Sequence, residues 1–265
     1  MRGCRIMAIM WPSQGQNAGS IPAARTRNIM TKYKRVLLKL SGEQFAGGQS
    51  FGISSDFINE LAKDIKAIAD LGVQVAVVVG GGNFMRGADI SKNGVERATG
   101  DYMGMLATVL NGMALVDTLE AGGQPARLQT RLRVDSVAEP YIRRRAIRHM
   151  EKGRIVIIAG GTGNPYVTTD TAAVTAALEL DCQAVLKATK VDGIYDKDPA
   201  KHKGAKKYTS LSHAEALQNP HIAVMDNAAI SLAMDHKLPV IVFKLSKENL
   251  KKVIQGKPVG SKVSN

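Results

Sequence analysis

Cysteine is nearly absent from this 265-residue chain: Cys4 and Cys182 are its only two, too few for a disulfide framework. Aromatic side chains make up 5% of the residues, with a single tryptophan, and they are not interleaved with the basic stretches. That removes a stacking platform of the kind that grips single-stranded nucleic acid. No apolar run in the sequence approaches the roughly 20 residues that span a bilayer. Histidines are few and scattered; His149, His202, His213, His221 and His236 have no zinc-ligand spacing and read as surface residues. The Gly-x-x-x-x-Gly-Lys-[Ser/Thr] loop, the Gly-x-Gly-x-x-Gly fingerprint and the protein-kinase motif set are all missing. Acidic residues are short as well, 23 against 36 lysines and arginines, so the chain carries +13.

An excess of positive charge attracts anions in general. It is spread over Arg143 to Arg154, Lys201 to Lys207 and Lys244 to Lys262, which favours nucleotide substrates and leaves a nucleic-acid partner open but not favoured. Residues 1–30 contain four arginines, no acid and a Pro/Ser/Gln/Gly-rich middle. They read as a disordered or mis-called extension with Met30 as the start, although an organelle transit peptide has the same composition. Residues 31–265 are expected to form one catalytic domain in the cytoplasm.

From Lys34 onward the pattern alternates strand and helix. Strands are expected at 36–40, 73–79, 127–134, 155–159, 184–188 and 240–243; 73–79 and 155–159 are uncharged runs rich in β-branched residues, and 127–134 alternates. Between them, apolar residues recur at helical spacing from Ser55 to Gly72, from Asp101 to Leu119 and from Asp170, and Pro140 is placed to open a short basic helix that ends at Gly153. The fold expected is a single-domain three-layer α/β/α sandwich with a mostly parallel sheet. The helix 101–119 is apolar around much of its circumference, which suits either core or a subunit contact.

Three strands run directly into glycine: Ser41-Gly42, Gly80-Gly81-Gly82 and Gly160-Gly161-Thr162-Gly163. In a parallel sheet these exits share one edge, where ligands bind. Glycine there permits positive φ and a close backbone approach, and clustered N–H groups favour anions. Lys39 and Arg86 add cations at the same edge, and Thr168-Thr169-Asp170 opens a helix, whose N-terminus also favours anions. The combination points to a ligand with several phosphates.

Lys39-Leu40-Ser41-Gly42-Glu43, Gly80-Gly81-Gly82-Asn83, Arg86-Gly87, Asp101 through Thr108, Gly161 through Pro165 with Thr168-Thr169-Asp170, and Lys187 through Gly193 together resemble the bacterial uridylate (UMP) kinases, of the amino-acid-kinase fold. The resemblance runs in order from about Lys34 to Val263. It implies transfer of the ATP γ-phosphoryl group to UMP with magnesium, in pyrimidine nucleotide biosynthesis, by a homohexamer activated by GTP and inhibited by UTP. It implies catalytic roles for Lys39, Arg86, Asp170 and Asp226. ATP would meet Lys39, Leu40, Ser41, Gly42, Gly82, Arg86, Thr189, Tyr195 and Asp198. UMP would meet Gly81, Asp101 and the run Thr162, Gly163, Asn164, Pro165, Tyr166, Val167, Thr168 and Thr169. GTP contacts are expected near Gly47, Gly48, Gln49, Ser50, Phe51 and Gly52, and no protein side chain is assigned to the metal. Other readings are a kinase acting on a carboxylate or carbamate, which the Asp101 block argues against, and a nucleotide-sensing regulator bound to DNA.

Overall fold

A computed structural model of the chain describes residues 30–85, 94–199, 201–219, 222 and 225–265. Its centre is a sheet of nine strands. In chain order these are β1 (Arg35–Leu40), β2 (Gln74–Val79), β3 (Ala126–Thr130), β4 (Glu139–Pro140), β5 (Ile155–Ala159), β6 (Val185–Thr189), β9 (Ser210–Leu211), β10 (Val240–Lys244) and β11 (Ser261–Val263). A short hairpin of β7 (Ile194–Tyr195) and β8 (Lys207–Tyr208) stands apart. The spatial order is β4-β3-β5-β2-β1-β6-β10-β11-β9, parallel throughout except where β11 runs against β10.

Alternation along the strands sorts the core into two layers. Leu38 and Leu40 of β1, Val75, Val77 and Val79 of β2, and Ile155 and Ile157 of β5 face α2 (Ser55–Ala69), α3 (Arg97–Ala121) and α8 (Lys247–Ile254). Leu37, Ala76, Val78, Val156 and Val185 face α4 (Arg143–Glu151), α5 (Thr169–Glu179) and α7 (Asn227–Asp235). Both sheet faces are therefore covered, which is why the strands read as apolar runs. A one-turn helix, α1 (Gly42–Phe45), follows β1, and α6 (His213–Gln218) lies beside α7.

Several boundaries differ from the sequence reading, each for a visible reason. Helix α3 begins four residues before Asp101, at Arg97, and is long and apolar enough by length and composition to cross a membrane. Its inner side packs on α2, β3 and β5 instead, burying Leu115 and Leu119 completely or nearly so. The stretch expected as a strand to Val134 stops at Thr130, after which Arg131 turns towards Glu179. Pro140 does not open a helix. It ends the two-residue edge strand β4, where its missing N–H costs no pairing, and α4 starts at Arg143.

Two histidines expected on the surface are buried. His149 touches Glu139 and Arg154, and His213 touches Asn265 and the Leu238 carbonyl, so each ring has polar partners inside the fold. Their burial is the satisfied kind.

Candidate active site

The chain exits from β1, β2 and β5 meet at one edge of the sheet. They enclose a cavity of about 480 Å³, lined among others by Lys39, Ser41, Gly42, Gly80 through Gly82 and Gly161. The opening turns of α3 and α5 complete the wall with Asp101, Gly104, Met105, Thr108, Val167, Thr168, Thr169 and Asp170.

The glycines are required here for two different reasons. Gly160, Gly161 and Gly163 have φ of 79°, 56° and 81°, in the left-handed region that side chains resist. Gly80, Gly81 and Gly82 are not among the positive-φ glycines, contrary to the sequence reading. Close approach demands them instead. A Cβ on Gly42 would stand 2.2 Å from the Gly82 nitrogen, and one on Gly81 would stand 2.5 Å from the Gly104 carbonyl oxygen. The turns are packed backbone against backbone, which leaves their amides in fixed positions.

Charge enters through strand register. Lys39 and Lys187 are paired partners on β1 and β6, each on the α5 side of the sheet. Asp170, in the first turn of α5, reaches between them. Its Oδ1 lies 2.9 Å from Lys39 Nζ, and its Oδ2 accepts a hydrogen bond from Lys187 Nζ at 2.9 Å. Burial pushes the Asp170 carboxyl up, but the two ammonium groups outweigh it and hold it below the usual carboxylate range. Lys187 is held below an ordinary lysine by burial, with Asp170 opposing and Lys39 reinforcing the shift.

A second carboxylate organises the far wall. Asp226 caps α7 through the Ala229 N–H at 2.8 Å. It also accepts from Thr171 Oγ1 at 2.8 and 3.0 Å and from Thr168 Oγ1, so it ties the start of α7 to the start of α5. Asp101 plays a similar part for the loop before α5: both its oxygens lie 3.0 Å from Arg97 Nε, and Oδ2 accepts the Tyr166 N–H at 2.8 Å. Tyr166 has φ of 65°, a strained backbone held by that bond and by the Arg97 guanidinium over its ring.

Of the residues singled out in the sequence, Lys39, Ser41, Gly42, Gly81, Gly82, Asp101, Val167, Thr168, Thr169, Asp170 and Asp226 all line this cavity. Leu40 is core on the other sheet face. Thr162, Gly163, Asn164, Pro165 and Tyr166 are not part of the cavity lining, and Thr162 and Asn164 bond chiefly to each other. Thr189, Tyr195 and Asp198 line a neighbouring cavity of about 360 Å³ that Lys187 also lines. Gly47 borders a third, with Thr189, and Phe51 packs edge-on to Phe84 just beyond the Gly80 turn. Arg86 lies outside the described residues.

Lys187 had no role in the sequence reading, although its neighbours in β6 are apolar. A lone lysine in a buried strand, matched in register by Lys39, was the available signal. Thr171 and Arg97 carry no such contrast in the sequence, and Thr108 stands there only as the end of the Asp101 block, with no role of its own.

Residues 34–244 match the amino acid kinase family. This chain belongs to that family. Among solved structures it is similar to UMP kinase from Bacillus anthracis, with 38% identity and a TM-score of 0.83 over 88% of this chain and 96% of that one. UMP kinase from Ureaplasma parvum matches at 30% identity and TM-score 0.81, covering 88% of this chain and 99% of that one. Uridylate kinase from Archaeoglobus fulgidus matches at 28% and 0.69, covering 89% and 100%. The family read from the motifs and the mostly parallel α/β fold expected with it are both upheld.

Proposed function

We propose that this protein is a UMP kinase, transferring the γ-phosphoryl group of ATP to the phosphate of UMP to give UDP and ADP. The observation that carries the reading is the Lys39–Asp170–Lys187 bridge at the junction of two cavities. UMP is assigned to the cavity with Asp101, Thr168 and Thr169, and the ATP base and ribose to the one with Thr189, Tyr195 and Asp198. The phosphates then meet at the bridge, between the three glycine turns.

The acceptor is a phosphate oxygen that already carries charge, so the transfer needs no strong general base. What it needs is alignment and neutralisation of charge on the moving group. Lys39 and Lys187 supply two fixed cations, and Asp170 keeps both in place while no phosphate is bound. Main-chain N–H groups of the turns and the N-terminus of α5 offer further donors without reorganisation. Asp226 holds Thr168 and Thr171, which sets the entry of α5.

Magnesium fits this site as a companion of ATP. Asp170 is engaged by two lysines and Asp226 by two threonines and an N–H, and among the described residues no cluster of three His, Cys, Asp or Glu side chains offers a cage. Bound together with ATP, it would supply additional charge neutralisation.

The reading extends to a cytoplasmic enzyme of pyrimidine nucleotide biosynthesis, with residues 31–265 as its catalytic domain. A homo-oligomer, as a hexamer, is supported by the outer face of α3. There Tyr102, Leu106, Leu110 and Met113 form an exposed apolar stripe at helical spacing. Activation by GTP and inhibition by UTP belong to the same proposal, with the 47–52 loop as the contact region. Purified protein with ATP, magnesium and each nucleoside monophosphate in turn tests it. UMP is expected to be the preferred acceptor by at least tenfold in kcat/KM, and preference for CMP, AMP or a carboxylate acceptor overturns the assignment. GTP and UTP added to the same assay test the regulation.

A further inference from the structure

Behind the Gly80 turn, two side-chain amides face each other in the interior. Asn83 follows the turn and Asn111 sits mid-way along α3; Asn111 is fully buried and Asn83 nearly so. Asn83 Nδ2 donates to Asn111 Oδ1 at 2.9 Å, and Asn111 Nδ2 donates back to Asn83 Oδ1 at 2.7 Å. Each amide has one N–H left, and both go to backbone carbonyls. Asn111 donates to Gly80 O at 2.7 Å and Asn83 to Gly52 O at 2.8 Å. The Gly52 N–H closes the ring by donating to Asn83 O at 3.1 Å. Carbonyls only accept, so the orientation of both amides is dictated by their partners, and all four side-chain N–H groups are used.

Two aliphatic side chains would fill this space but would take away the donors that serve the Gly80 and Gly52 carbonyls. They would also supply no direction. The Gly80 carbonyl and the Gly81 N–H belong to one rigid trans peptide plane. Holding the carbonyl on Asn111 therefore turns the Gly81 N–H away from Asn111, and Gly81 itself lines the cavity. Thr108, one turn earlier on α3, does the same for the other glycine turn, its Oγ1 accepting the Gly160 N–H at 2.7 Å.

We infer that Asn83 and Asn111 are positioning residues for phosphoryl transfer: the amide pair orients the Gly80–Gly81 peptide and clamps the 47–52 loop to it, without touching either nucleotide. The inference rests on the kinase reading above. It also accounts for a fully buried asparagine, Asn111, on the inner side of α3. A displacement of about an ångström can cost about a hundredfold in an aligned transfer.

The experiment compares full-length wild type with Asn83→Leu, Asn111→Leu and the double variant. kcat and KM for ATP and UMP are measured well below each melting temperature. Each single variant is expected to lose about 10- to 100-fold in kcat with the KM for UMP within threefold, and the double to be no worse than the poorer single. Folded variants keeping more than a third of wild-type kcat, or losses that multiply in the double, overturn the inference. Asn83→Asp is a second probe that leaves shape unchanged. Its carboxylate faces two acceptors, Gly52 O and Asn111 Oδ1, and a proton restores one donor. The kcat ratio of Asn83→Asp to wild type should therefore rise several-fold from pH 8 to pH 6, whereas a flat ratio counts against positioning. If wild type does not phosphorylate UMP, the substrate assignment fails by itself. The same ratios, measured with whichever monophosphate wild type accepts, then still decide the role of the amides.

Discussion

Asp170 stands between Lys39 and Lys187 with little water around any of the three. Replacing it by asparagine removes the carboxylate charge that stands between two buried ammonium groups. Removing one partner of a buried ion pair costs about 3–5 kcal/mol, so Asp170→Asn should melt several degrees below wild type. ATP phosphates bring the missing charge, and the rise in melting temperature on adding ATP should be larger for the variant. An equal rise would contradict the charge account. kcat should fall by about 100-fold or more, since the cations lose their fixed placement. The pH dependence follows from sign. The depressed folded pKa of Asp170 makes its contribution to stability whole above the ordinary carboxylate value of 3.8 and lost as pH falls through the lower folded value. Wild type should accordingly lose more stability than Asp170→Asn between neutral and strongly acid pH, read by thermal melts. Lys187 acts at the other end. Because burial holds its pKa below 10.5, it sheds its proton at a lower pH than a free lysine does. kcat/KM should therefore show an alkaline limb below the usual lysine range. In Lys187→Arg that limb should vanish, because a guanidinium keeps its proton throughout.

At the scale of elements, the site is a product of how closely turns and helices approach. The exit of β1 lies on the exit of β2 with no room for one methyl group at Gly42. Gly42→Ala should force the two turns apart, costing about 1–3 kcal/mol of stability and most of the activity, measured by denaturant melts and by UMP phosphorylation. Gly48, where a Cβ meets nothing within 4 Å, is the matching control and should tolerate alanine. This contrast was not available from composition, where both are loop glycines. The helix-start residues behaved more transparently. Thr168, Thr169 and Asp170 follow a glycine-rich run and precede alanines, so an N-terminus was legible there, and α5 does begin at Thr169. The start of α4 was misread because Pro140 serves an N1 position and an edge strand equally well.

At the scale of the whole molecule, the outer stripe of α3 is an exposed apolar surface among the described residues. Leu110 is half exposed at the middle of it, while Val109 and Asn111 beside it are buried. Leu110→Glu should leave the monomer fold intact, because the side chain points away from the core. It should reduce the assembled species to smaller ones in sedimentation velocity at micromolar concentration. An unchanged sedimentation profile would place the subunit contact elsewhere. The excess of lysine and arginine has its own reading at this scale. Much of it lies on exposed helices and loops such as α4 and residues 201–207, where it contributes a positive field that attracts anions.

The alternation of strands and helices, the two-sided burial of the sheet and the gathering of three glycine exits at one edge were all readable from the chain. Each follows from local rules: β-branched runs, apolar spacing and the geometry of parallel strands. The partnership of Lys39 with Lys187 and their bridging by Asp170 was decided only by the tertiary structure. So were the close approach of Gly42 to Gly82 and the amide pair that seats the Gly80 turn. These depend on strand register and on distances between segments far apart in the chain. Such quantities are set by packing the whole molecule at once, and no window of sequence contains them.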